Sequence, residues 1–124
     1  MESIRIYKLK WFKRLASKEG LSDSLLKVAI AEMQQGLVDA DLGANVFKKR
    51  VPSGGRGKSG SLRTLIAFQV DTKAFFIYGF SKSTRSNVSV KDMKALKLLA
   101  KELFNYSDEQ LKKAIDSGSV EEVR

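Results

Sequence analysis

The apolar positions of this chain change period along its length, and the changes mark out its elements. Ser3-Ile4-Arg5-Ile6-Tyr7 alternates every second residue, which predicts a short strand. Leu9, Trp11, Phe12, Leu15 and Ala16 then fall at helical spacings up to Gly20. Ser22 with Asp23 opens a second helix, along which Leu26, Ile30, Met33 and Leu37 recur at i, i+4, i+7 and i+11 until Gly36. The short turn around Gly20 makes these two helices an antiparallel hairpin.

From Gly43 the period returns to two. Val46-Phe47-Lys48-Lys49-Arg50-Val51 reads as a strand, closed by Pro52 and the loop from Ser53 to Gly60. Leu62 to Val70 and Ala74 to Phe80 follow, rich in β-branched and aromatic residues and joined by a turn at Asp71-Thr72-Lys73. Three consecutive strands with such joins predict an antiparallel meander. Ser89 to Asp92 resembles a capping box with a shorter acid and leads into a helix marked by Met93, Leu96, Ala100 and Leu103. Ser107 to Gln110 is a second box before Leu111, Ala114 and Ile115, with Gly118 as terminator and an acidic tail beyond. The pattern therefore predicts one α+β domain over residues 1–124. Its small antiparallel sheet packs against the N-terminal hairpin and the C-terminal helices, leaving the other face open.

Composition narrows the chemistry. The chain has no cysteine and no histidine, so thiolate catalysis, disulfides and cysteine zinc sites are excluded. The usual neutral-pH proton shuttle is absent too. No apolar run is long enough to cross a bilayer, and the N-terminus lacks the continuous apolar stretch of a secretory signal, so a cytoplasmic protein is expected.

The net charge is +9, and nearly all of it lies in the middle of the chain. Residues 42–91 hold ten basic groups and the single acid Asp71, whereas the segments on either side are almost neutral. Such asymmetry is the footprint of a phosphate-binding face. Strand alternation puts Lys48 and Arg50 on one face and Lys49 on the other, Arg63 with Leu65 and Ala67, and Phe76, Tyr78, Phe80 and Lys82 together. If these faces coincide, Lys48, Arg50, Arg63 and Lys82 form a cationic patch.

Other motifs carry less. Gly57-Lys58-Ser59 is no phosphate-binding P-loop, because Pro52 stands where that motif needs glycine and the loop joins two strands. A basic hairpin loop that grips a nucleic-acid backbone through Arg56 and Lys58 is the better reading. Asp39 and Asp41 lie two apart, but the basic segment offers only Asp71 besides, so no metal site is expected. Trp11, Phe12, Phe75, Phe76, Tyr78 and Phe80 could stack on bases, but core packing is the default for them, least so for Tyr78, which shares a face with Lys82.

Taken in order, the two-helix start, Phe47 to Arg50, the basic loop, Leu62 to Phe68, and Tyr78-Gly79-Phe80-Ser81-Lys82-Ser83-Thr84-Arg85 resemble the RelE/ParE toxin superfamily, in a HigB-like branch. The resemblance spans nearly the whole chain. It implies the toxin of a type II toxin–antitoxin system that cuts messenger RNA in the ribosomal A site without metal or other cofactor. The implied chemistry is attack of a 2′-hydroxyl on the adjacent phosphate, leaving a 2′,3′-cyclic phosphate. By match to the family, Lys48 is the base. Arg50 stands beside it, and Arg63 holds the scissile phosphate. Where such enzymes carry an arginine, and often a tyrosine or histidine, after the last sheet strand, this chain has Ser83 and Ser89. Lys82 and Arg85 are the nearby substitutes. Lys49, Arg56, Lys58 and Tyr78 are expected to contact RNA. Implied partners are messenger RNA on the ribosome, with ribosomal RNA contacts, and an antitoxin of helix-turn-helix type, with no membrane. Two alternatives share these features: a ParE-like gyrase inhibitor that cuts nothing, and a noncatalytic nucleic-acid-binding module.

Overall fold

A computed structural model describes residues 4–52, 61–81 and 87–124. In chain order they form β1 (Arg5–Leu9), α1 (Lys10–Glu19), α2 (Asp23–Gln34), β2 (Ala40–Asp41), β3 (Val46–Pro52), β4 (Ser61–Gln69), β5 (Lys73–Ser81), α3 (Val90–Phe104), α4 (Asp108–Asp116) and β6 (Val120–Glu122). The fold is mixed α+β, as the periodicities predict.

The helices start where serines can cap them. The Ser22 hydroxyl accepts the Leu25 N–H at 3.3 Å, and the Ser89 hydroxyl accepts that of Asp92 at 3.1 Å. Ser107 and Gln110 form a reciprocal capping box, each side chain accepting the other's backbone N–H. Each such cap contributes about 1 kcal/mol. Gly20 ends α1 in the left-handed region at φ 74°, which only glycine adopts without strain.

The strand order is β2-β3-β4-β5-β1-β6. The β3-β4-β5 meander is antiparallel, as expected, but β1 lies parallel to β5, so the sheet is not wholly antiparallel. A parallel neighbour needs a long crossover, and everything from α1 to β4 supplies it. The acidic tail is also more than a tail: β6 pairs antiparallel with β1. Val120 and Val123 are buried, while Glu121 and Glu122 meet Lys13, Lys8 and Arg5. The bond from Lys13 holds the Glu121 carboxyl below the usual range, with Lys8 adding to the effect.

Helices cover both faces of the sheet, correcting the expectation of one open face. α1 and α2 lay Phe12, Ala16, Leu26, Ile30 and Met33 against Leu62, Ile66 and Phe76. α3 and α4 lay Ala100, Leu103 and Leu111 against Tyr7, Leu65, Phe75 and Ile77 on the other side. The physical reason is in β4, where Leu65, Ile66, Ala67 and Phe68 are all buried. A run of apolar residues without alternation needs cover on both sides. Each of the larger fully buried side chains stabilises the fold by about 1.5–3 kcal/mol.

Candidate active site

α3 covers only part of its face. Phe104 packs edge-on against Phe75 near the start of β5, and the helix borders Ala44, Asn45 and Gln69 where β3 begins and β4 ends. At the opposite end of β3 and β4, cations take the place of core residues. On β3, Val46 is buried on the α3 side, and Lys48 and Arg50 follow it on that face. Register sets two rungs across the sheet: Lys48 opposite Leu65 opposite Tyr78, and Arg50 opposite Arg63 opposite Phe80. Neighbouring strands lie roughly 4.8 Å apart, so the three cations and Tyr78 project from a patch about 10 Å across.

Lys48 and Arg63 are half-buried and Arg50 is exposed. Placing Arg50 directly opposite Arg63 sets like charges on a cross-strand pair, a destabilising arrangement worth about 0.2–1 kcal/mol. Among the described residues no carboxylate pairs with the side chain of Lys48, Arg50 or Arg63. Asp39 sits beside them, but its carboxylate accepts the Arg50 backbone N–H. Asp41 is spent in the same way on the Gly43 N–H at 3.0 Å, so both carboxylates brace backbone. No carboxylate among the described residues neutralises the patch, so it can attract and hold the developing charge of a phosphorane.

A bulge re-aims the third strand. Between the pairs Leu65–Tyr78 and Ile66–Phe76 an extra residue, Ile77, enters β5. Phe76 consequently packs with α1 and α2, while Ile77 and Tyr78 both face α3. The expected common face of Phe76, Tyr78 and Phe80 thus holds only for Tyr78 and Phe80. Gly79 follows the bulge, and a Cβ there would come within 2.8 Å of Leu15. Only glycine lets α1 approach this strand so closely.

A family model for the RelE toxin of the RelE / RelB toxin-antitoxin system matches residues 4–123. The chain belongs to the RelE toxin family. Membership implies an antitoxin partner. No curated protein matches the chain.

Not every basic residue of this RelE-family toxin serves the patch. Lys49, expected to contact RNA, is buried on the α2 side, where its ammonium donates to the Leu37 carbonyl at 2.9 Å and pairs with Glu32 at 2.8 Å. It ties β3 to α2 and is corrected to a structural role. Arg56, Lys58, Lys82 and Arg85 lie outside the described residues, as do Ser83 and the Gly57-Lys58-Ser59 motif. Trp11, for which core packing is the default on sequence grounds, is instead 39% exposed and meets Tyr78 at 5.0 Å between ring centroids.

Proposed function

We propose that this toxin is a metal-independent endoribonuclease that cuts messenger RNA on the ribosome and so inhibits translation. The observation that carries the reading is the pair of Arg50 and Arg63 on one rung, which no carboxylate among the described residues neutralises, with Lys48 on the same face of the next. A structural protein gains nothing from opposed cations, whereas a phosphoryl-transfer site needs them.

In this reading the Lys48 amine takes the proton of a ribose 2′-hydroxyl as the 2′-oxygen bonds to the adjacent phosphorus. The bond from phosphorus to the 5′-oxygen then breaks, leaving a 2′,3′-cyclic phosphate and a 5′-hydroxyl. Arg63 holds the phosphate, in a bidentate manner where geometry allows, and Arg50 adds charge stabilisation as negative charge develops. Lys82 and Arg85 are the groups assigned to the leaving oxygen. Tyr78, Arg56 and Lys58 position the RNA. The chain acts as one domain in the cytoplasm, held inactive by an antitoxin of helix-turn-helix type.

The test is induction in a bacterial culture with separate labelling of protein and DNA synthesis. Protein synthesis is expected to fail first, with messages shortened. Early loss of DNA synthesis with an SOS response, while messages stay intact, would establish the gyrase-inhibitor alternative instead.

A further inference from the structure

β1 pairs with β5 only from Lys73 to Phe76, after which the chain turns into α1. Beyond that point the outer edge of β5 has no strand partner among the described residues, and the side chain of Trp11 lies along it. The indole N–H donates to the Ile77 carbonyl at 3.1 Å, so the bulge residue itself fixes the ring. The Trp11 ring is tilted 56° to Tyr78, and Tyr78 lies 6.2 Å from Phe80. An aromatic row therefore borders both rungs of the cationic patch. Its outermost ring stays substantially exposed, while the next residue, Phe12, is wholly buried.

The start of α1 adds charge beside this row. Its first turn has no acid, and Lys10 and Lys13 lie there against the helix dipole, which disfavours cations at an N-terminus, with Arg14 just beyond. Lys13 is paired with Glu121, but Lys10 and Arg14 are exposed, and Arg14 is the i+3 neighbour of Trp11.

We propose that Trp11, with Tyr78, forms a nucleobase-stacking subsite at the rim of the cationic patch, and that Lys10 and Arg14 receive the phosphates flanking that base. The proposal rests on the endoribonuclease reading, since it assigns the place of one unpaired base of the same RNA. A fixed, half-exposed indole beside cations suits any base, because every base presents a π-face. The subsite therefore contributes binding and positioning, with little discrimination among sequences.

Trp11 is the only tryptophan, so its emission reports on the subsite directly. The probe is a short single-stranded 2′-O-methyl oligoribonucleotide, which lacks the free nucleophilic hydroxyl, beside an abasic oligomer of equal charge. The base-bearing oligomer is expected to quench Trp11 emission and the abasic one to leave it unchanged. Trp11→Ala should weaken oligomer binding and raise KM for message on programmed ribosomes, each on the order of tenfold, while Trp11→Phe restores most of both. Binding of both oligomers without quenching, or Trp11→Ala binding and cutting like wild type, would overturn the subsite and leave the active site standing. A wild-type protein that neither binds the oligomer nor cuts message would overturn both.

Discussion

Lys48 and Lys49 are neighbours in the chain and point to opposite faces of β3, so the same substitution at each should have opposite consequences. Methionine keeps the aliphatic stem and removes the charged head. At position 49 that head donates to the Leu37 carbonyl and pairs with Glu32, and the lysine side chain is only 10% exposed. A hydrogen bond involving a charged group contributes about 1.5–3 kcal/mol, and the half-exposed Glu32 can rehydrate, so Lys49→Met should cost about 1.5–3 kcal/mol. For a chain of this size the melting temperature should fall on the order of 5–10 °C. Cleavage by the folded fraction should be unchanged. Lys48→Met should do the reverse, altering stability by less than about 0.5 kcal/mol and reducing cleavage on the order of a hundredfold. Denaturant titration and single-turnover cleavage of ribosome-bound message measure both quantities. Loss of cleavage in folded Lys49→Met, or normal cleavage in Lys48→Met, would refute the assignment of the two faces.

RNA or ribosome binding should weaken steeply with salt, because several phosphates are neutralised together, and affinity unchanged between low and physiological salt would contradict a phosphate-reading face. Replacing Arg56 and Lys58 together should weaken association and spare the chemical step, checked by saturating single-turnover rates. The contact of Glu121 with Lys13 and Lys8 lowers its folded-state pKa, so its contribution to stability is present above the ordinary carboxylate pKa and lost as pH falls through the folded value. Glu121→Gln should therefore destabilise the protein at neutral pH, with the difference from wild type shrinking on acidification in denaturant melts.

The readable parts of this fold were the local ones. Ser22, Ser89 and Ser107 cap helices where their spacing places them, and period-two alternation put Lys48 and Arg50 on one face, with Arg63 met there through strand pairing. What escaped the sequence depends on partners far away in the chain. Lys49 looks like its neighbour until Glu32 and Leu37 close over it. Ile77 reads as one more β-branched strand residue, yet as a bulge it moves Phe76 to the opposite face from Tyr78. β6 is a three-residue strand that exists only because β1 offers it an edge with Arg5 and Lys8, to which α1 adds Lys13. Trp11 acquires its setting from Ile77 and Tyr78, more than sixty residues on. The second helical layer could have been inferred from Leu65-Ile66-Ala67-Phe68, whose lack of alternation signals burial on both sides.

The most direct test of the account is cleavage of message on programmed ribosomes by purified wild type and by Arg63→Ala, with cut sites mapped by primer extension and folding checked by melting. Arg63 meets Arg50 across the strands, so removing it relieves a like-charge pair and should leave stability within about 0.5 kcal/mol of wild type or slightly above it. The same change removes stabilisation of transition-state charge worth on the order of 3 kcal/mol, a loss of about a hundredfold in rate. Wild type treated with EDTA and desalted before it meets the ribosomes, whose magnesium is kept constant, should cut as well as untreated protein. Equal cleavage by wild type and folded Arg63→Ala, or loss of cleavage by the EDTA-treated, desalted wild type, would contradict the account.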